Sequence, residues 1–277
     1  MSILYAALDT VLPFEWVSYT FMKNALLAML LITPLFGVLG TMAVDNKMAF
    51  FSDALGHSAL TGIAIGVVLG VSSQQVSMLV FGIVWALLIT RIKQRNTASA
   101  DTVISVFSST SIALGLVILA RGGAFAKYSS YLVGDILAVT PQDLLYLALA
   151  LAGTLAVWAY VFNPLLLTSV NASLASSRGV RQRAVEYVFV VLVAVTVMLS
   201  IRWVGMLLIN SLLILPAAAS RNVAKNAAWY IRLSVLFALF AGVAGLIASY
   251  YLNTSAGAAV VLICAAIYFI TLPLKKK

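Results

Sequence analysis

The chain has 277 residues, of which 63% are hydrophobic and 9% charged. A water-soluble domain is about half apolar and a quarter charged, so these proportions exclude a soluble globule and make the bilayer the solvent. The net charge of +9 does not imply a nucleic-acid partner, because in a membrane protein the placement of cations says more than their sum.

The N-terminal MSILYAALDTVLPFEW lacks a basic leader and carries Asp9 and Glu15. It reads as an interfacial segment with Trp16 and Tyr19 at headgroup depth, not as a cleaved signal. A spanning helix needs about 20 mostly apolar residues. Runs of that kind fall at 20–42, 50–70, 75–91, 102–120, 143–162, 184–201, 203–219, 229–251 and 256–273. The expected fold is therefore all-α, a polytopic bundle of about eight or nine spanning helices forming one domain over 1–277. Tyr128 to Gln142 is too polar for a clear span and reads as a re-entrant or surface element. Asp101 and Thr102 read as the N-cap of the fourth span. Cys264, the one cysteine, lies in an apolar run and reads as a small buried hydrophobe.

Lysines and arginines concentrate on the cytoplasmic side of membrane proteins. With alternating spans, thirteen of the 17 basic residues share one side: Lys47, the 91–95 and 178–183 clusters, Arg221, Lys225, Arg232 and Lys275 to Lys277. Lys23, Arg121, Lys127 and Arg202 fall on the other. This places the C-terminus in the cytoplasm and the N-terminus outside.

The second span, MAFFSDALGHSALTGIAIGVVLG, carries Asp53 and the single histidine, His57. Four residues apart, they project from one helix face. Acids within a membrane segment are expensive and face a cavity or a partner, and carboxylate and imidazole together suit Zn²⁺, Mn²⁺ or Fe²⁺. The competing reading is that Asp53 or Ser52 caps the helix and His57 is packed. One chain supplies two ligands where a closed site takes about four, so a two-fold dimer is the expected way to complete it. On this topology the pair lies one to two turns from the cytoplasmic end of its helix. Gly62, Gly66 and Gly70 form a small-residue ladder for close helix approach.

Asp135 reads as a cap or the lining of an entrance. Asn210 and Ser211, in the middle of the seventh span, read as path-lining groups or interhelical hydrogen bonds. In 163–186, Asn171 can cap a short helix outside the membrane that ends near Gly179. The chain contains no phosphate-binding G-x-x-x-x-G-K-[ST] and no H-E-x-x-H.

Six stretches carry a family resemblance: FFSDALGHSALTGIAIG (50–66), ADTVISVFSSTSIALGLVIL (100–119), YLVGDILAVTPQDL (131–144), NASLASSRGV (171–180), WVGMLLINSLLILPAAASR (203–221) and NTSAGAAVVLICAAIYF (253–269). In this order they resemble the integral membrane permeases of bacterial zinc/manganese/iron ABC importers, from about Ala28 to Leu274. The resemblance implies a homodimer in the bacterial inner membrane, two cytoplasmic ATPase subunits that hold the ATP, and an extracytoplasmic metal-binding protein. The permease would be no enzyme and keep no permanent cofactor. Zn²⁺ or Mn²⁺ would be its cargo. Asp53 and His57 match the family's intramembrane metal-coordinating and gating pair. Asn171, Leu174, Ala175, Gly179 and Val180 match its ATPase-coupling helix, with Ser173 where the family usually has an acid. LLILPAAASRN is similar to zinc permeases. FSSTSIALGL lacks a histidine found in some of those and is closer to manganese ones. Zinc is the favoured cargo, and a manganese/iron importer permease of the same family, a proton-coupled secondary carrier or a membrane scaffold are the alternatives.

Overall fold

The computed structural model of the chain describes residues 2–11, 14–95, 98–121, 125–128 and 134–274. Its helices are α1 (Ser2–Val11), α2 (Thr20–Asp45), α3 (Phe51–Val68), α4 (Gln74–Arg95), α5 (Ala100–Arg121), α6 (Pro141–Val170), α7 (Ala172–Ser177), α8 (Gln182–Val204), α9 (Met206–Val223), α10 (Ala227–Leu252) and α11 (Ala256–Thr271). Single helical turns fall at 125–128 and 136–138. All but α1 and α7 are long and apolar enough to cross a membrane, which makes nine spans among the described residues. No strand occurs among those residues. Helices dominate because a backbone in hydrocarbon must satisfy its hydrogen bonds within its own segment.

α2 and α3 are the most enclosed spans. α2 packs against α6, α9 and α10, while α3 lies between α4 and α5 and also touches α8 and α9. α8 joins the two groups through α4 and α6. Glycines permit the close approaches. A methyl group on Gly62 would lie 2.9 Å from the Met78 Cα, and one on Gly66 would lie 2.2 Å from the Ser77 hydroxyl. Gly70 meets nothing and lies beyond the end of α3, so the expected ladder has two rungs.

Several local expectations change. Trp16 is 2% exposed and packs against the core, whereas Tyr19 is exposed. The cap of α5 is Ser99, whose hydroxyl accepts from the Thr102 N–H at 3.2 Å, and Asp101 lies within the first turn. α6 runs eight residues past the expected end at 162, through Pro164. Leu165 is 3% exposed, and this burial outweighs the backbone bond that a proline removes. Cys264 is buried, as expected. Residues 134–140 form no span. Ile136 and Val139 are buried, and the Val139 carbonyl accepts from Asn24 Nδ2 at 3.0 Å. Residues 129–133 and 275–277 lie outside the described residues.

Candidate functional site

Between α2 and α3 the chain turns back into the bundle. Lys47 takes a left-handed φ of 56°, and the Met48 N–H donates to the Ala43 carbonyl at 2.8 Å. Met48 is 2% exposed. α3 starts from this turn, and its first residue, Phe51, is buried at 2% whereas Phe50 before it is 57% exposed. Its N-cap, Phe50, makes no side-chain cap hydrogen bond, so neither Ser52 nor Asp53 is a cap.

The Asp53 carboxylate faces groups from three helices. Asn210 Nδ2 on α9 donates to Oδ1 at 2.9 Å. The Ser108 hydroxyl on α5 donates to Oδ2 at 3.3 Å. His57 Nε2, one turn along α3, lies 3.5 Å from Oδ2. His57 Nδ1 and Asn210 Oδ1 are enclosed and have no hydrogen-bond partner among the described residues. Buried polar atoms of this kind call for an explanation. An imidazole nitrogen, an amide oxygen and a carboxylate are all donors to a divalent metal ion.

Helix lengths give the depth. Arg221 Nη1, near the other end of α9, lies 3.6 Å from the Asp45 carboxylate at the end of α2. Asn210 stands eleven residues before Arg221, about 16 Å along the axis. Ser108 stands eight residues beyond the start of α5, about 12 Å. The hydrocarbon core is about 30 Å thick, so the cluster lies near mid-depth. Asp53 lies in the first turn of its own helix, so α3 begins at nearly the same depth.

Two glycines bring α9 to this point. Gly205 separates α8 from α9 with φ 78°, a conformation that a side chain would strain. Gly56 lies beneath Met206, and a methyl group there would be 2.3 Å from the Met206 Cγ. α9 thus begins beside the site, with Asn210 in its second turn.

Among the described residues no group of three or more His, Cys, Asp and Glu side chains that could hold a metal ion occurs. The Asp53 side chain is 39% exposed and that of His57 19%. On α5, next to Ser108, the exposed residues Thr102, Ser105, Ser109 and Ala113 share one face. Ser108, Gly56 and Gly205 are contributors that sequence reasoning does not single out. The polar run FSSTS in an apolar helix is the signal for Ser108.

The other predicted residues stand apart from Asp53. The Ser211 hydroxyl turns back to the Leu207 carbonyl at 2.9 Å. Asp135 caps the 136–138 turn, accepting from the Leu137 N–H at 3.1 Å. It lines a cavity of about 120 Å³ together with Leu208 and Gly257. Asn171 caps α7, its side chain accepting from the Leu174 N–H at 3.0 Å. Gly179, at φ 74°, ends that helix, and the Val180 N–H returns to the Ala175 carbonyl at 3.0 Å, a Schellman closure. Ala175 is buried within its own chain, whereas Leu174 is 43% exposed. Gln182 Nε2 donates to the Ala172 carbonyl and to the Ser176 hydroxyl, tying α7 to α8.

Nine candidate membrane spans among the described residues, packed around a carboxylate–imidazole pair, have the build of a polytopic membrane permease. The chain belongs to the ABC 3 transport family, whose profile matches residues 18–275. It is 32% identical over 247 residues to the high-affinity zinc uptake system membrane protein ZnuB of Haemophilus influenzae, covering 89% of this chain and 94% of that protein. It is equally 32% identical over 254 residues to the manganese import system permease protein ScaB of Streptococcus parasanguinis, covering 91% and 90%. Among solved structures it resembles PsaBC from Streptococcus pneumoniae in complex with Fab. The TM-score is 0.79 at 29% identity, over 98% of this chain and 95% of that one.

Proposed function

We propose that this chain is the permease of an ATP-driven importer of divalent transition-metal ions, and that Asp53 and His57 hold the ion on its way through the membrane. The observation that carries this reading is the Asp53 carboxylate at mid-depth, hydrogen-bonded by Ser108 and Asn210 beside His57. Zinc is the favoured cargo, as for the ZnuB relative, and manganese is the alternative, as for ScaB. In this reading ATP is hydrolysed on two separate subunits, a binding protein outside delivers the metal, and the C-terminus is cytoplasmic in the inner membrane.

A second copy of the permease completes the coordination. Two ligands fall short of a four-coordinate site, while two chains about a two-fold axis bring four. The exposed Asp53 carboxylate and the Thr102, Ser105, Ser109 and Ala113 face of α5 support this arrangement. Polar and small residues facing lipid are better matched by a helix of another chain.

The deciding experiment is uptake of labelled zinc and labelled manganese by cells carrying the complete transporter, comparing wild type with Asp53→Ala and His57→Ala. Asn210 acts as a positioning residue for Asp53. Asn210→Ala removes that donor and is expected to lower uptake 10- to 100-fold, the range for partners of metal ligands. The accompanying sign is a weakened metal affinity of the purified complex. Unchanged affinity and uptake would remove Asn210 from the site.

Segment 171–180 is the coupling element to the ATPase in this reading. Asn171, Gly179 and Val180 set its shape, and Ala175 anchors it. Leu174 is the apolar side chain it presents outward. Leu174→Asp is expected to leave membrane abundance unchanged while cutting uptake and the metal-stimulated ATPase rate at least fivefold. An ATPase rate equal to wild type would place the docking surface elsewhere.

A further inference from the structure

Along the seam between α6 and α8 runs an open apolar groove of about 560 Å³. On α8 its wall is Tyr187, Val191, Val195 and Leu199, at intervals of four residues, which is one stripe of a helix. On α6 the facing residues include Ala150, Gly153 and Val157. The hydroxyls beneath are satisfied, since Thr154 Oγ1 and Thr196 Oγ1 lie 3.1 Å apart and Thr196 also donates to the Leu192 carbonyl. The floor therefore offers no polar group to a ligand.

The stripe continues one turn further, to Arg183. This residue borders a second, polar cavity of about 300 Å³ on the same seam, together with Thr168 of α6 and Lys93 of α4. Lys93 is paired with Glu186. Arg183 is exposed, with no ion pair among the described residues. Leu199 stands twelve residues beyond Tyr187, about 18 Å along the helix, close to the depth of one leaflet of a ~30 Å core. The groove is thus apolar over one leaflet and basic at the bundle's basic face, the complement of one lipid with an acyl chain and an anionic headgroup.

We infer that the α6–α8 groove binds one anionic phospholipid per chain, its acyl chain against Tyr187, Val191, Val195 and Leu199 and its headgroup at Arg183. The groove is open at Gly153, where a methyl group built on the backbone meets nothing within 4 Å. A larger side chain at 153 fills the groove without displacing protein.

The test uses the full-length chain, delipidated in mild detergent and titrated with phosphatidylglycerol or phosphatidylethanolamine. Native mass spectrometry reads the occupancy. Wild type is expected to retain one phosphatidylglycerol at activation that strips phosphatidylethanolamine. Gly153→Phe and Arg183→Gln should each lower that occupancy at least fivefold. Gly153→Ala, which leaves the groove open, and Arg232→Gln, a cation off the groove, should not. Equal retention of both lipids, or undiminished phosphatidylglycerol in Arg183→Gln, would overturn the site. So would a chain-to-chain adduct in place of lipid that Gly153→Phe abolishes. If Gly153→Phe fails to fold, Arg183→Gln, altered only at an exposed head, decides.

Discussion

Asp53→Ala and His57→Ala are each expected to reduce uptake of the transported metal at least tenfold, measured at matched membrane abundance. Asp53 lies where a charge is costly, and it makes no helix cap that would explain it. Its oxygens are held by donors from α5 and α9, which leave it aimed at the same space as His57. A carboxylate placed for packing alone would be replaceable. His57→Ala removes the one imidazole in the chain, so no other histidine can compensate. The mutant pair also names the cargo, because a loss confined to zinc or to manganese identifies the ion that pauses there. Two mutants with wild-type uptake of both metals would remove the site and leave His57 as a packed side chain. Asp53→Asn sharpens the test. It keeps the shape of the side chain and one acceptor oxygen but removes the charge, and uptake as low as in Asp53→Ala would show that shape and a single acceptor do not suffice.

Gly40→Ala is the substitution with the largest expected effect on stability. A methyl group on Gly40 would lie 1.9 Å from the Leu213 carbonyl oxygen and 2.9 Å from its carbon. Both are backbone atoms of α9, so no side-chain rotation relieves the clash. α2 and α9 must move apart along a contact in the centre of the bundle. Overpacking costs about 1–3 kcal/mol and occasionally more, and here a whole helix shifts. The expected result is a fall of several degrees in the thermal midpoint in detergent, together with lower abundance in the membrane. Because α9 carries Asn210, the shift should also loosen the Asp53 cluster. Gly153→Ala serves as the control, since its added methyl group meets open space and alanine favours a helix. Equal midpoints for Gly40→Ala and wild type would mean that α2 and α9 leave room for the methyl group.

The spans are legible in the sequence because length and apolarity decide them. Twenty apolar residues can do little else than cross a bilayer as a helix, and all nine expected segments correspond to helices. The α7 cap at Asn171 and its stop at Gly179 are legible for the same kind of reason, since capping chemistry is local. Asp53 and His57 stand out because an acid and the one histidine share a face in an apolar run. Their depth is not legible. Hydropathy reports how long a helix is, not how far it is displaced along its neighbours, and α3 is drawn inward by the turn at Lys47 and the burial of Met48. Nor does the sequence say that Asn210 and Ser108 reach Asp53 while Ser211, one residue away, turns back on its own helix. Adjacent residues on a helix point about 100° apart, so which of the two meets α3 depends on the rotation of α9. That rotation is set by Gly205, Gly56 and the close contact at Gly40, interactions between segments far apart in the chain, and only the packed bundle decides it.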